Sequence, residues 1–237
     1  MTDTKKYNEW LAGLIDGDGY FGLSKKGYAS VEITTETRDE ACLFAIKRRF
    51  GGSVKPIAGL KACRYRLHHH SGVVELITAV NGKLRNPTRL TQMYKLCEKY
   101  KIEIKYAEPL TYENAWLSGF LDADGSVDIN TLSGQVFISA SQKNKLLLDP
   151  LVPLYGGSVY AVKTTECFKW VVSRKEEVLA LLKYFSENKL KSQKMNRVRI
   201  IPDIYECFKK GMLKESLYET TEGKLCKNLK DKWDTYG

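Results

Sequence analysis

The sequence lacks the features of several common protein classes. None of its 237 residues falls in a run of 18 consecutive apolar side chains, so we expect no membrane-spanning helix. The opening residues, MTDTKKYNEW, contain no apolar segment typical of a secretory signal peptide. A glycine-rich phosphate-binding loop and a defensible Ser-His-Asp pattern are both missing. We therefore expect an intracellular, non-secreted protein that is not a conventional small-molecule enzyme.

Cysteine and histidine are scarce. The six cysteines are Cys42, Cys63, Cys97, Cys167, Cys207 and Cys226. Because none forms a Cys-x-x-Cys pair, they are expected to be free thiols in a reducing compartment, without a disulfide frame or a zinc site. All three histidines are consecutive, at positions 68–70. In a strand only His68 and His70 would share a face, and we favour a surface or contact role over metal chelation.

Positive charge is in excess, with 38 Lys and Arg against 28 Asp and Glu and a net charge of +10. Such an excess suits a polyanion, either nucleic acid or an anionic membrane surface. Because many basic proteins bind neither, charge alone does not decide the function.

Two motifs occur twice in the chain. WLAGLIDGDG begins at Trp10 and WLSGFLDADG at Trp116, 106 residues apart, and GGSV recurs 105 residues apart at Gly51 and Gly156. Two markers at nearly the same offset indicate an internal duplication. Two copies are too few for a solenoid, so the sequence predicts two pseudo-symmetric halves, like a homodimer fused into one chain.

Each half has the same predicted order of elements, αββαββα with a further closing helix, which is an α+β class. The fourth strand of the first half is expected over CRYRLHHH and the central helix of the second half over NKLLLDPLVPLY. We expect an N-terminal half over residues 1–100, a linker over 101–114 and a C-terminal half over 115–237. An extra helix at about residues 224–236 lies outside the repeat.

Each motif ends on two aspartates, Asp16 and Asp18 in the first copy and Asp122 and Asp124 in the second. A helix C-terminus carries partial negative charge, so acids at this end are electrostatically unfavourable. An Asp-Gly pair also favours a turn, and for a single copy that interpretation has equal weight. Two matched copies in a basic chain favour a binding role for the acids.

Small residues recur four positions apart in both motif helices, at Gly13 and Gly17 and at Gly119 and Ala123. Such spacing lets two helix backbones approach closely. If the motif helices pack on the pseudo-two-fold axis, Asp18 and Asp124 emerge side by side and repel each other. A hard divalent cation would relieve the repulsion, and Mg²⁺ is typically held by one or two carboxylates with waters and phosphate oxygens. The pattern therefore predicts a metal site that DNA or RNA completes.

The two decapeptides resemble the LAGLIDADG motif of homing endonucleases. LAGLIDGDG matches it at eight of nine positions and LSGFLDADG at six of nine, and two motifs in one chain resemble the monomeric branch. The resemblance implies the homing endonuclease fold, a saddle of two four-stranded antiparallel sheets lying in the DNA major groove. It also implies Mg²⁺-dependent cleavage of both strands with short 3′ overhangs. Mn²⁺ is an alternative cofactor, and Ca²⁺ is expected to support binding without cleavage.

The resemblance also implies roles for individual residues. Asp18 and Asp124 match the metal ligands, and the backbone carbonyls of Gly17 and Ala123 match a position that also faces metal. The first acids of the two motifs, Asp16 and Asp122, are expected to be structural.

Further catalytic candidates come from the same resemblance. Gln142 resembles a polar residue that organises active-site water, and its counterpart by offset is Thr37, so the two sites are expected to differ. Basic residues near the scissile phosphate are expected among Arg85, Arg89, Lys191 and Lys194.

The outward faces of the predicted strands carry groups that can read base edges in the major groove. The interpretation concerns the face as a whole, because each single residue is equally an ordinary solvated strand residue. The candidates are Ser24, Lys26, Glu32, Thr34, Glu36, Lys55, Arg64, Arg66, His68, His70, Asp128, Asn130, Ser139, Ser141, Tyr160 and Lys169.

The leading hypothesis is a site-specific double-strand DNA endonuclease acting as a monomer on a long target. An intron RNA maturase and a non-cleaving DNA-binding regulator on the same scaffold are the alternatives, and intron RNA is a second candidate partner. The intact acids Asp18 and Asp124 favour cleavage. Because the family is common in organelle introns, the resemblance implies an organelle-encoded protein of a mitochondrion or chloroplast, with no membrane partner.

Overall fold

The computed structural model describes residues 2–211 and 218–236. The first half contains α1 (Thr2–Asp18), β1 (Gly19–Leu23), β2 (Ala29–Glu36), α2 (Glu40–Phe50), β3 (Ser53–Pro56), β4 (Ala62–Leu67), α3 (His70–Val80) and α4 (Pro87–Tyr100). The second half contains α5 (Trp116–Asp124), β5 (Gly125–Asn130), β6 (Gln135–Gln142), α6 (Leu151–Tyr155), β7 (Ser158–Val162), β8 (Cys167–Val172), α7 (Lys175–Glu187) and α8 (Lys194–Lys209), followed by α9 (Thr221–Thr235). The matching order confirms the predicted pair of α+β halves.

Each half forms a four-stranded antiparallel sheet, in the orders β1-β2-β4-β3 and β5-β6-β8-β7. Alternation along the strands separates two faces. In the first sheet Val31, Ile33 and Tyr65 are fully buried beneath the helices, whereas the residues between them face outward. The second sheet buries Ile138 and Trp170 in the same way. The outward faces are the surfaces that the resemblance assigned to DNA.

Helices α1 and α5 pack directly against each other at the centre of the molecule. A methyl group on Gly13 would lie 2.0 Å from the Trp116 carbonyl oxygen, and one on Gly119 would lie 1.8 Å from the Trp10 carbonyl oxygen. Only glycine fits at these two crossing points. The predicted close approach of the two motif helices is therefore confirmed.

Two strands of the first half end earlier than predicted. Strand β1 ends at Leu23, so Ser24 and Lys26 do not lie on a strand face as predicted. They lie in the following turn, which is closed by a hydrogen bond from Gly27 N to Ser24 O. Strand β4 ends at Leu67, so the predicted shared strand face of the histidines is wrong. His70 instead begins α3, where its ring packs edge-on against Tyr100 at 5.0 Å.

The central helix of the second half is also shorter than predicted. It covers only Leu151–Tyr155, after Pro150. The residue before a proline avoids the helical conformation, so the preceding residues do not extend the helix.

Two of the six cysteines are not free thiols. Cys207 in α8 and Cys226 in α9 form a disulfide, whereas Cys42, Cys63, Cys97 and Cys167 are free. The prediction of six free thiols was wrong because spacing alone does not show that α9 folds back onto α8. None of the described helices is long and apolar enough to cross a bilayer.

Candidate active site

Asp18 and Asp124 are the last residues of α1 and α5 and lie side by side where the two helix ends meet. A methyl group on Gly17 would lie 2.4 Å from Ala123 Cβ and 2.7 Å from Asp124 Oδ2. The glycine therefore lets the opposite carboxylate approach the backbone of α1. Both aspartates are partly buried, and the structure brings them together as the small-residue spacing predicted.

The electrostatics of this pair disfavour two negative charges. Burial, and after it the charge of the neighbouring Asp124, raises the pKa of Asp18 to about 7, while Lys194 and Arg89 oppose the shift. Burial likewise raises the pKa of Asp124 to about 6, against the effects of Lys194, Arg89 and a hydrogen bond from Gln142. A bound cation would favour the charged form of both acids, because an opposite charge nearby lowers a carboxyl pKa.

The donor set fits a hard divalent cation. Within residues 2–211 and 218–236, no cluster of three or more His, Cys, Asp or Glu side chains could hold a metal by itself. One or two carboxylates are nevertheless the usual protein contribution to Mg²⁺, which keeps waters and takes phosphate oxygens as its other ligands. The pair therefore suits an ion whose coordination a nucleic acid completes.

Cationic side chains contact the helix ends that present the acids. Lys194 Nζ donates to the carbonyl oxygens of Leu121 at 3.0 Å and Asp122 at 2.7 Å, and lies 3.5 Å from that of Ala123. In the first half an Arg89 guanidinium nitrogen donates to the Gly17 carbonyl at 3.1 Å. The two carbonyls predicted to face metal thus contact Lys194 and Arg89 in this structure.

The other two basic candidates are not brought to the acid pair. The Lys191 ammonium lies 5.2 Å from the centre of the Trp10 ring, and the Arg85 guanidinium lies 5.8 Å from that of Trp116. Arg85 also donates to the Glu108 carbonyl. The catalytic placement predicted for Lys191 and Arg85 therefore finds no support in the structure, because the tryptophans of the opposite halves attract their charges.

The first acid of each motif joins the halves. Asp16 is fully buried and accepts hydrogen bonds from the backbone N–H groups of Arg85 and Asn86 and, at 2.7 Å, from the indole of Trp116 in the other half.

Asp122 repeats this pattern in the second half. It accepts hydrogen bonds from the Trp10 indole, the Lys191 and Ser192 backbones and the Ser192 hydroxyl. These contacts support the structural role predicted for the first acid of each motif.

Gln142 contacts the acid pair, but Thr37 is not its counterpart. Gln142 Nε2 donates to Asp124 Oδ2 at 2.5 Å, whereas Thr37 begins a short 3₁₀ turn beyond β2. The equal-offset alignment fails here because the two hairpins differ in register by one residue: Gly19 pairs with Ile33, whereas Gly125 pairs with Ala140. Sheet register gives the correct counterpart, Thr35.

Most of the predicted nucleic-acid face is present on the two sheets. The residues on the outward faces are Glu32, Thr34, Glu36, Lys55, Arg64, Arg66, Asp128, Asn130, Ser139, Ser141, Tyr160 and Lys169. Ser139 is only 1% exposed, so it lies on this face but is covered by neighbouring side chains. Ser24, Lys26, His68 and His70 lie outside the strands.

Ion pairs order part of this face. Glu32 lies between Arg64, at 3.6 Å, and Arg66, at 3.2 Å, and the Arg64 guanidinium also donates to the Thr34 hydroxyl. In the second half Arg197 contacts Asp128 and holds the β5 backbone at Val127. Sequence reasoning missed Arg197, because it belongs to α8 and reaches the sheet only in the folded chain.

The fold and the site together define a class: a duplicated α+β protein with a two-carboxylate centre at the junction of its halves and a polar sheet face on each half. The sequence profile of the LAGLIDADG endonuclease family matches residues 117–205. The chain is also 38% identical over 236 residues to the intron-encoded DNA endonuclease ai2a of Dictyostelium discoideum, a match that covers 97% of this chain and 75% of that protein. The chain therefore belongs to the LAGLIDADG endonuclease family.

Two further similarities bear on fold and function. The intron-encoded RNA maturase bI4 of Saccharomyces cerevisiae is 41% identical over 206 residues, but the match covers 84% of this chain and only 32% of the maturase. This chain thus spans about a third of that relative. The structure of meganuclease I-SmaMI bound to uncleaveable DNA aligns with a TM-score of 0.72 at 17% identity, over 96% of this chain and 98% of that one. This likeness confirms the predicted homing endonuclease fold.

Proposed function

We propose that this protein is a site-specific DNA endonuclease that cuts both strands of a long target with the help of a divalent cation, Mg²⁺ first. The observation that carries the proposal is the pairing of Asp18 and Asp124 at the touching ends of α1 and α5. Two partly buried carboxylates that repel each other destabilise the fold, and a bound cation would relieve this repulsion. The relatives named as intron-encoded DNA endonucleases support the same conclusion.

The chemistry follows from the groups around the pair. A bound divalent cation would polarise the scissile phosphate and lower the pKa of a bound water. Asp18 and Asp124 would hold that cation, and Gln142 fixes the orientation of the Asp124 carboxylate. Lys194 and Arg89 offset the negative charge that accumulates on phosphate. Water adds to phosphorus as the bond to the 3′ oxygen breaks, leaving a 3′ hydroxyl and a 5′ phosphate; staggered cuts on the two strands give short 3′ overhangs.

The outward sheet faces would supply target recognition. Arg64 and Arg66 can donate to guanine, Asn130 can pair with adenine, and Glu32 and Asp128 can accept from cytosine. Glu32 holds both arginines in the unbound protein, so DNA must exchange these ion pairs for base contacts. Because each half carries its own sheet, one monomer would read the two halves of an asymmetric target.

A second function has one specific observation in its favour. The relative from Saccharomyces cerevisiae is named an RNA maturase and shares 41% identity with this chain. Intron RNA is therefore the second candidate partner, beside or instead of DNA cleavage. The intron-encoded relatives also favour an origin in an organelle intron.

The test is cleavage of a randomised duplex library in Mg²⁺, in Mn²⁺, in Ca²⁺ and in EDTA, with sequencing of the product ends. We expect cuts at one long motif with short 3′ overhangs in Mg²⁺ and Mn²⁺, binding without cutting in Ca²⁺, and no cuts in EDTA. Salt-sensitive binding with no cuts in any metal would contradict the endonuclease, and intron RNA would then be tested as the ligand.

A further inference from the structure

The strand pairing in the two sheets shows which residues of the two halves are structurally equivalent. This alignment differs from the one obtained with a constant offset in residue number. The glycine that follows each motif helix pairs with the second strand of its sheet, Gly19 with Ile33 and Gly125 with Ala140. Thr35 lies two residues after Ile33 in β2, and Gln142 lies two residues after Ala140 in β6, so each is on the same face of its strand as the paired residue. Thr35 is therefore the structural equivalent of Gln142, at the end of β2 rather than beyond it.

Thr35 is a buried residue whose hydroxyl lacks a hydrogen-bond partner in the described part of the chain. Its residue is 8% exposed, and its hydroxyl oxygen makes no hydrogen bond to any residue that the structure describes. A buried hydroxyl without a partner is destabilising, so such groups call for an explanation. One explanation is that the hydroxyl serves a small polar ligand of the neighbouring cleft.

The cleft beside Thr35 is lined by one member of the acid pair, Asp18. It has a volume of about 320 Å³, and its walls include Asp18, Ala123 and Lys194 together with Thr35. This space is large enough for water, and it is lined by polar groups that could hold water by hydrogen bonds. The Thr35 hydroxyl and the Asp18 carboxylate therefore line one polar cleft.

The lengths of the two side chains explain why the halves differ. In the second half Gln142 carries its amide far enough to donate to Asp124 Oδ2 directly. The hydroxyl of Thr35 is attached to Cβ, two atoms closer to the backbone than an amide nitrogen of glutamine. A direct contact in one half is thus replaced by a gap in the other, and a water can bridge such a gap.

We propose that Thr35 is a positioning residue of the first active site, where its hydroxyl orients a water beside Asp18 and so speeds the cutting of one DNA strand. This inference rests on the proposed endonuclease function. In the second site the corresponding group, Gln142, acts on the carboxylate itself. Removal of each group is expected to slow a different strand.

The experiment measures the cutting rate of each strand separately on an end-labelled duplex that contains the target selected by the wild-type protein. Thr35→Val removes the hydroxyl with little change of shape, and Thr35→Ser keeps it. Gln142→Met removes the amide in the other half. Thr78→Val is the matched control, because its hydroxyl lies on the exposed surface of α3 and donates to the Val74 carbonyl. Binding in Ca²⁺ and thermal unfolding establish that each variant is folded and binds DNA.

We expect Thr35→Val to slow one strand by about tenfold or more, with DNA affinity unchanged, because the lost interaction acts on the chemical step. Thr35→Ser should restore the wild-type strand ratio, and Gln142→Met should slow the opposite strand. Equal slowing of both strands by Thr35→Val, wild-type rates in that variant, or failure of Thr35→Ser to restore the ratio would each overturn the role of Thr35. Absence of cutting by the wild-type protein would instead overturn the endonuclease function, so the two failures are distinguishable.

Discussion

At the scale of single residues, Asp18 and Asp124 weaken the fold that carries them. Burial raises the pKa of both carboxyl groups, to about 7 and about 6. For an acid with a raised folded-state pKa, the stabilising contribution is present below the unfolded-state value and is lost as pH rises through the folded-state value. Without a cation, the stability contributed by the pair should therefore fall between about pH 4 and pH 7.

The first prediction is that Asp18→Asn stabilises the metal-free protein at pH 8, by about 1–2 kcal/mol, because it removes a buried charge and its repulsion with Asp124. At pH 4 the difference should be close to zero, since the wild-type carboxyl group is then neutral. Urea unfolding in EDTA at the two pH values measures it. Asp231→Asn, an exposed change on α9, is the control. Destabilisation by Asp18→Asn at pH 8 would contradict the account.

The neighbouring acid should behave in the opposite way. The Asp16 carboxylate accepts hydrogen bonds from two backbone N–H groups and from the Trp116 indole. In an asparagine one of the two oxygens is replaced by an NH₂ group, which would point at these donors and cannot accept from them. We predict that Asp16→Asn lowers the free energy of unfolding by about 2 kcal/mol or more. The same unfolding experiment decides the point, and a neutral or stabilising Asp16→Asn would show that these hydrogen bonds do not join the halves.

Residue roles were predictable from the sequence only where local spacing determines them. The adjacency of Asp18 and Asp124 follows from small residues four positions apart, which is a local property of each helix. The side-chain directions of Arg85 and Lys191 were not predictable, because each is drawn to a tryptophan of the other half.

At the scale of elements, the α1–α5 contact holds the two acids in place. A side chain on Gly119 would meet the Trp10 carbonyl at 1.8 Å, and backbone cannot move aside as a flexible side chain can. We predict that Gly119→Ala destabilises the protein by about 3 kcal/mol or more, because overpacking here must separate the helices. Denaturant unfolding measures this loss.

The control for this prediction is Gly59→Ala. Gly59 has a left-handed φ of 76°, and a methyl group there meets nothing within 4 Å. Its cost should be limited to backbone strain of about 1 kcal/mol. Equal losses from the two substitutions would contradict a tight crossing at Gly119.

Element types were predicted better than element ends. The predicted order of elements contained all eight strands of the two sheets. The end of β4 was missed because packing of His70 on Tyr100 of α4, thirty residues away, favours the start of α3 over a longer strand. The Cys207–Cys226 disulfide was missed for a similar reason, since it depends on how α9 returns to α8.

At the scale of the whole molecule, the duplication explains both the site and its asymmetry. Two copies of one half place two acids on the pseudo-two-fold axis, and neither half alone contains the pair. The copies have diverged, however, so that the position of Gln142 in the second half is occupied by Thr35 in the first. The sequence repeat was sufficient to predict the architecture, but the strand register was needed to align the two active sites.

The central claim is that Asp18 and Asp124 together form the cation-dependent cleavage centre of a DNA endonuclease. The most direct test compares the wild-type protein with the double variant Asp18→Asn, Asp124→Asn on the selected target, measuring cleavage in Mg²⁺ and DNA binding in Ca²⁺. The account predicts that the double variant stays folded and binds DNA through its sheets but cuts neither strand. Cleavage of both strands by the double variant would contradict it.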